Sequence, residues 1–204
     1  MNHIAKYSLV LLLLCLNIMG VEAQELNTLS IADVTGSMGG KVSLPINLDN
    51  TCHDIVAVQF RLTVPKGITV DSNSAKFGVR TDNHSAVIQK NDNSYSVIVY
   101  SAGNSAIGGN SGQLMTIDLT IGTGFTPGGD YDIELSEVLL GNKQGKNVAT
   151  GFSSGKLHIA EVPDFVVTDV QTDESSSAPN GFINVSWKVT NQGGLASSGG
   201  WSEQ

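Results

Sequence analysis

Apolar and polar residues alternate at every second position through most of the chain after residue 28. In residues 54–70, DIVAVQFRLTVPKGITV, the apolar side chains fall on one side, and the other side carries Ala57, Gln59, Arg61 and Thr63. This period of two predicts a β-strand with one face in a core and the other in water. The same pattern recurs in KVSLPINLD, QLMTIDLTI, YDIELSEV and KLHIA.

Glycine, asparagine, aspartate and proline separate these segments, and no segment shows the 3.6-residue apolar period of a helix. The stretch SAVIQKNDNSYSVIVYS predicts a hairpin, because Asn and Asp tolerate the positive φ angles of a tight turn. Pro45 predicts an edge position or a bulge in its strand, since it has no N–H for a ladder. Several short strands with turns between them predict an all-β fold, a β-sandwich.

The composition changes near residue 161, where a Pro-Asp junction precedes a new strand and the polar loop DESSSAPNG. A further strand, FINVSWKVTN, places Ile183, Val185, Trp187 and Val189 on one face. Two or three strands cannot bury a sandwich core. Residues 161–204 are therefore expected to be the truncated start of a second β domain.

The first 23 residues have the layout of a secretory signal peptide. Lys6 supplies a positive charge, LVLLLLCLNIMG is apolar, and VEA before Gln24 provides small residues for cleavage. Removal of residues 1–23 would also remove Cys15 and leave Cys52 without an intramolecular disulfide partner. The protein is thus predicted to be secreted, either extracellular or on the cell surface.

The formal net charge of −8 disfavours nucleic acid and anionic lipid as partners. No second apolar stretch reaches the length of a membrane span. The charge and the hydropathy therefore predict neither nucleic-acid binding nor a membrane span.

Two short motifs resemble parts of hydrolases. GFSSG, residues 151–155, has the spacing of an esterase nucleophile elbow, but a strand follows it instead of a helix. GGNSGQ, residues 108–113, resembles a protease loop, but no histidine is suitably placed as a base. Asp49 and Asp54 offer oxygen ligands for Ca²⁺ without a known loop spacing. No catalytic residue, metal site or cofactor is predicted, and the chain is not expected to be an enzyme.

The order of several stretches resembles a cohesin-type module, the jelly-roll β-sandwich shared with some carbohydrate-binding modules of bacterial surface proteins. The similar stretches are LSIADVTGSMGGKVSLPINLDN, DIVAVQFRLTVPKGITV, GNSGQLMTIDLTI, GGDYDIELSEVLL and GKLHIA. This resemblance implies one domain over residues 28–160. Residues 161–204 resemble the start of a CARDB module, an adhesion-related immunoglobulin-like β-sandwich, through PDFVVTDV, INVSWKVTNQGG and Trp201.

The resemblance implies a non-catalytic recognition module that binds a dockerin-like protein partner through a flat sheet face. By position, that face would include Ala57, Gln59, Arg61 and Thr63, with Arg61 as the best anchor. The alternatives are a carbohydrate-binding module for soluble polysaccharide chains and a structural spacer in a multidomain adhesin. Tyr95 and Tyr100 lie on opposite faces of one strand, so one of them should be exposed.

Overall fold

The computed structural model of the protein describes residues 26–51, 54–81, 83–172, 179 and 181–196. The predicted signal peptide, Cys52 and Trp201 lie outside these ranges. The described residues form strands and turns without a helix, as the sequence predicts. Accordingly, no helix in these ranges is long and apolar enough to cross a membrane.

Fourteen strands are present within the described ranges. They are β1 (Asn27–Ile31), β2 (Val34–Gly36), β3 (Lys41–Asn50), β4 (Ile55–Thr63), β5 (Ile68–Val70), β6 (Lys76–Phe77), β7 (Ser85–Asn91), β8 (Ser94–Tyr100), β9 (Gln113–Ile121), β10 (Asp130–Asn142), β11 (Gly151–Ser153), β12 (Gly155–Ile159), β13 (Phe165–Thr172) and β14 (Val185–Asn191).

Two six-stranded sheets form the sandwich. One sheet has the order β11, β1, β3, β9, β5, with β6 also paired to β9, and the other has the order β2, β12, β10, β4, β8, β7. The side chains of both inner faces make one apolar core, which includes Leu44, Phe60, Val97, Ile117 and Leu135. The predicted all-β jelly-roll sandwich is confirmed.

The alternation in β4 is the alternation read from the sequence. Val58, Phe60 and Leu62 are buried, whereas Gln59 is exposed and Arg61 is half-buried. The predicted hairpin is also present, because β7 and β8 pair antiparallel around a turn in which Asp92 has a φ of 54°. These strands therefore hold the outer side of the second sheet in a regular register.

The chain crosses from one sheet to the other twice at the same place. β1 pairs parallel with β11 in the first sheet, and β2 pairs parallel with β12 in the second. Asp33, between β1 and β2, accepts a hydrogen bond from the backbone N of Lys156 at 2.7 Å. The first and last strands of the sandwich therefore change sheets side by side.

Pro45 lies in an internal strand, because β3 has β1 on one side and β9 on the other. The ladder with β1 ends at the pair of Ile31 and Ile46, and the Pro45 carbonyl accepts a hydrogen bond from Ala32 at 3.2 Å. The side of Pro45 without an N–H thus faces the end of β1. A bulge in the β3–β9 ladder follows directly at Ile46 and Asn47.

Arg80 connects three segments that are distant in sequence. Its Nε donates to Gly108 O at 2.6 Å, and its Nη1 donates to Leu48 O at 3.0 Å and Gly112 O at 2.6 Å. Its Nη2 donates to the side chain of Asn50. Partial burial lowers the pKa of Arg80, against the raising influence of Asp49. The guanidinium fixes the end of β3 against the loop before β9.

β13 and β14 form a separate two-stranded antiparallel sheet. Its apolar side chains are exposed, with Val167 at 56%, Val170 at 64% and Trp187 at 41%. The pairing of Val167 with Val189 agrees with the apolar face read from the sequence. The domain limits of 28–160 and 161–204 stay a prediction.

Candidate protein-binding face

The outer side of β7, β8, β4 and β10 forms four rows of side chains. Pairing across the strands defines the rows, which read from β7 to β10 as follows: Ser85, Tyr100, Ala57 and Gly141; Val87, Ile98, Gln59 and Leu139; Gln89, Ser96, Arg61 and Ser136; Asn91, Ser94, Thr63 and Glu134. We call this surface the outer face. At the usual strand spacing it is about 14 Å wide and about 20 Å long.

Four large apolar side chains are exposed in the first two rows. Val87 is 51% exposed, Leu139 is 45% exposed, Tyr100 is 42% exposed and Ile98 is 41% exposed. They belong to three different strands and lie in adjacent rows. Exposed apolar side chains grouped in this way beside polar residues are typical of a protein-binding site.

A β-bulge in β10 sets the composition of this face. In β10, Glu137 and Val138 lie between Ser136 and Leu139, which pair with Arg61 and Gln59 of β4. In β4, only Phe60 lies between those two partners. Glu137 takes the extra place with a φ of 52°, in the left-handed region. The bulge shifts the alternation by one residue, so Val138 is buried and Leu139 is exposed.

Arg61 is held along the outer face by two neighbours. Its Nη2 donates to Glu137 Oε2 at 2.8 Å, and its Nη1 donates to Ser94 Oγ at 3.4 Å. The hydrogen bond and the charge of Glu137 both raise the pKa of Arg61. The Arg61 side chain is 31% exposed and that of Glu137 is 59% exposed, so both groups remain accessible from solvent.

Acidic side chains of β10 continue beyond the polar rows and pair there with basic side chains of β12. Lys156 Nζ lies 3.2 Å from Asp132 Oδ1, and His158 Nδ1 lies 2.7 Å from Asp130 Oδ1. The Asp132 carboxylate raises the pKa of Lys156, mainly through their hydrogen bond. The outer face therefore passes from apolar rows to a charged region along the strand direction.

The structure brings Ala57, Gln59, Arg61 and Thr63, the four predicted site residues, onto one face. Gln59 is exposed and the other three are half-buried. The assignment of these residues to a binding site stays a prediction. Of the two tyrosines, Tyr95 is buried and its hydroxyl accepts a hydrogen bond from the backbone N of Val70, whereas Tyr100 lies on the outer face. Tyr100 is the one aromatic side chain in the four rows.

Sequence reasoning predicted that either Tyr95 or Tyr100 is exposed, but it did not identify Val87, Ile98 or Leu139 as members of this face. Ile98 and Tyr100 lie in SYSVIVY, which is apolar on both sides and so has no clear outer face. Leu139 lies in the run Val138, Leu139, Leu140, where strict alternation from Leu135 places it inside. The interruption of the alternation by three apolar residues was the available signal of a bulge.

Serines in the two hydrolase-like motifs make hydrogen bonds within the fold. Residues 151–155 comprise β11, Ser154 and the first residue of β12, so the motif serine, Ser153, is the last residue of β11. The next residue, Ser154, lies at the sheet crossing, and its Oγ accepts a hydrogen bond from the N of Leu135. Asp49 accepts a hydrogen bond from Ser111 Oγ at 2.6 Å, and Asp54 lies 3.9 Å from Lys143 Nζ. No group of three His, Cys, Asp or Glu side chains suited to a metal ion occurs among the described residues.

Solved cohesins have a similar fold. A non-cellulosomal cohesin from the archaeon Archaeoglobus fulgidus is 17% identical, with a TM-score of 0.55 over 66% of this chain and 91% of that one. A type I cohesin from Clostridium thermocellum, solved in complex with a dockerin, is 21% identical, with a TM-score of 0.55 over 65% of this chain and 99% of that one. At these identities, the likeness establishes a shared fold.

A third solved cohesin, from Acetivibrio cellulolyticus and also in complex with a dockerin, is 19% identical, with a TM-score of 0.56 over 65% of this chain and 98% of that one. None of the curated proteins matches the chain in sequence.

The family model of the cohesin domain matches residues 27–159, which are the strands of the sandwich from β1 to β12. The cohesin domain is a non-catalytic protein–protein interaction domain, so the prediction that the chain is not an enzyme is confirmed. A protein-recognition module is likewise the function that this family supports. The match extends over well more than half of the sequence and agrees with the resemblance read from its strands, and the chain therefore belongs to the cohesin family.

Proposed function

We propose that the protein is a secreted or cell-surface recognition module that binds a dockerin-like protein through its outer face. The observation that carries this proposal is the group of four exposed apolar side chains beside the paired charges of Arg61 and Glu137. An interface needs an apolar centre that can be desolvated and a polar rim that fixes the orientation of the partner. The outer face offers both on adjacent rows of one regular sheet.

Membership of the cohesin family supports a protein as the partner, and the two similar cohesins from Clostridium thermocellum and Acetivibrio cellulolyticus were solved in complex with dockerins. The layout of residues 1–23 supports export. A flat strip of aromatic rings, which would favour binding of crystalline polysaccharide, is not supported by the single tyrosine of the four rows.

The proposal assigns different roles to the two halves of the face. Ile98 and Leu139 would lie under the partner and contribute most of the affinity, because buried apolar contacts at the centre of an interface dominate its energy. Arg61 and Glu137 already satisfy each other at 2.8 Å, so their pair would mainly determine orientation. Ala57, Gln59 and Thr63 would provide close-fitting small and polar contacts.

Binding to a panel of recombinant dockerins encoded in the same genome tests this proposal. Ile98→Asp and Leu139→Asp place a charge in the apolar rows and should each weaken binding by about 2 kcal/mol or more, roughly thirty-fold. Both residues are exposed on the outer face, so the thermal midpoint should change little. Thr120→Asp, on the outer side of the opposite sheet beside Lys41, is the matched control and should bind normally.

A second pair of variants tests the charged half. Arg61→Glu creates a like-charge contact with Glu137, and the double variant Arg61→Glu, Glu137→Arg restores an ion pair in reverse. The single variant should lose affinity, and the double variant should recover stability but not full affinity. Unchanged binding by both aspartate variants would mean that the partner does not use the outer face. Absence of binding to every dockerin would contradict the dockerin-like partner.

A further inference from the structure

A cleft of about 400 Å³ opens at one end of the outer face, where β4 begins and β10 ends. Its lining includes the apolar residues Ala57, Leu139 and Gly141, which also belong to the first two rows of the outer face and which we call the floor. Its polar lining includes Asn104, Lys143, Lys146 and Asn147. We call it the basic cleft. The basic cleft shares its floor residues with the outer face, where we propose that the partner binds.

The turn that forms one wall of the basic cleft is fixed by its own hydrogen bonds. Asn142 Oδ1 accepts hydrogen bonds from the backbone N of Gln144 at 3.1 Å and of Lys146 at 2.9 Å. Asn147 Oδ1 accepts hydrogen bonds from the N of Leu140 at 3.0 Å and of Ala149 at 3.1 Å. The wall is therefore formed before any partner arrives, which reduces the ordering cost of binding.

The charge of the basic cleft is opposite to that of the molecule. The chain has a formal net charge of −8, and the far end of the outer face carries Glu134 and the neighbouring Asp132. Lys143 Nζ is 3.9 Å from Asp54 Oδ1, whereas Lys146 has no carboxylate within salt-bridge distance among the described residues. One ammonium group in the lining of the basic cleft is thus available to a ligand.

An apolar floor beside an ammonium group fits a ligand that has a carboxylate on an apolar stem. A neutral apolar ligand cannot form an ion pair with the ammonium group, and a highly charged polar ligand would not cover Leu139. We propose that the basic cleft is a subsite of the outer face that receives an acidic segment of the protein partner. The carboxylate lies against Lys146, and the adjoining apolar group covers Leu139 and Gly141. This inference rests on the proposed function of the outer face.

Hexanoate and hexanamide are the probes for this subsite, because they share a stem and differ in charge. In titrations of the isotope-labelled full chain, hexanoate should shift the amide NMR signals of Gly141 and Asn147, with a dissociation constant on the order of 10 mM. Hexanamide should bind at least five-fold more weakly. Equal effects of both compounds, or hexanoate shifts spread over all lysine-bearing surfaces, would overturn the proposal.

Two variants and a matched control locate the effect. Lys146→Glu should reduce hexanoate affinity at least five-fold, and Gly141→Val should do the same by filling the floor. A Cβ at Gly141 makes only ordinary contacts, 3.6 Å from Ala57 Cβ, so this variant is expected to fold. Lys66→Glu, in the exposed turn after the opposite end of β4, should leave hexanoate binding unchanged.

The dockerin panel separates this inference from the proposed function. If Ile98→Asp abolishes dockerin binding while Lys146→Glu and Gly141→Val have no effect on it, the outer face is confirmed and the acidic subsite is wrong. If hexanoate binds at the cleft but no dockerin binds, the assigned partner is wrong. Loss of dockerin affinity in Lys146→Glu, together with selective hexanoate binding, supports both.

Discussion

Arg61 and Arg80 each carry a guanidinium group, but the two groups have different surroundings. Arg61 lies in a regular strand and makes an accessible ion pair with Glu137. Arg80 lies outside the strands and donates to three backbone carbonyls and an asparagine side chain. The first group can exchange its partner when another protein binds. The second is committed to the fold.

Arg80→Met should therefore destabilise the protein by about 3 kcal/mol, because it removes the guanidinium donor from the carbonyls of Leu48 and Gly108 and leaves Gly112 O with Leu48 N alone. The stability of Arg80→Lys should lie between that of Arg80→Met and that of the wild type, since an ammonium group cannot reproduce the planar arrangement of donors. Urea unfolding measures both differences. A Lys variant as stable as the wild type would show that the charge alone is sufficient.

Asp118 should contribute a pH-dependent share of stability. Ser43 donates a hydrogen bond to it and Lys76 Nζ lies 3.2 Å away, and these contacts hold the pKa of Asp118 below its usual range. A lowered folded pKa stabilises the fold above the unfolded pKa of about 3.9 and loses that contribution as the pH falls through the folded pKa. Asp118→Asn should thus be less stable than wild type at pH 6 by under about 1 kcal/mol.

The difference between Asp118→Asn and wild type should narrow below about pH 4, and thermal melts across this range measure it. Lys76→Met keeps the hydrogen bond from Ser43 to Asp118, so it should lose less stability relative to wild type than Asp118→Asn does. A constant difference from pH 6 to pH 2.5 would contradict the role of the Asp118 charge.

Among the strands, the crossing between the two sheets brings two backbone segments into close contact. A Cβ at Gly155 would lie 2.9 Å from Ile31 O and 3.0 Å from Ala32 O. Because both atoms belong to the backbone of the neighbouring crossing, neither can rotate away. Gly155 is thus required at the point where β11 gives way to β12.

Gly155→Ala should destabilise the protein by about 2 kcal/mol through this overlap. Gly151→Ala is a matched control in the adjacent strand, because its Cβ would make an ordinary contact of 3.6 Å with Thr28 Cγ2. The control should change stability by less than about 1 kcal/mol, with a small gain expected from the lower entropy of the unfolded chain. Equal losses for both variants would point to a general cost of substitution there.

Alternation was sufficient to predict the longer strands, the buried face of β4 and the common face of Ala57, Gln59, Arg61 and Thr63. It could not predict that Glu137 is the extra residue of a bulge. A bulge depends on how two paired strands match, and the sequence of each strand alone does not show it. The same bulge moves Leu139 outside. The contacts of Arg80 could not be predicted because their acceptors are backbone carbonyls. Every residue has a carbonyl, so the residue type does not indicate which one accepts.

For the whole molecule, the apolar surface is distributed unequally. The sandwich buries its apolar side chains in one core, whereas the sheet of β13 and β14 leaves Phe165, Val170 and Trp187 exposed. An isolated two-stranded sheet is marginally stable at best. Its local stability should therefore be much lower than that of the sandwich.

Limited proteolysis of the full chain should remove residues beyond 160 first and leave a resistant fragment that ends near that residue. Intact-mass measurement identifies the fragment, and its thermal midpoint should stay within a few degrees of that of the full chain. Equal resistance of both parts would contradict the proposed limits of 28–160 and 161–204. Cleavage within β4 or β9 before the tail would contradict the stability assigned to the sandwich.

The parallel pairing of the outermost strands has a mechanical consequence. The chain enters the sandwich at Asn27, beside Thr150, and leaves it at Ala160, beside Gly36, so entry and exit lie at opposite ends of the paired strands. Tension applied through residues 26 and 160 would load the β1–β11 and β2–β12 hydrogen bonds in shear. Bonds loaded together share the force, whereas bonds opened from one end break in succession. The geometry therefore predicts that the sandwich resists unfolding under force along this direction.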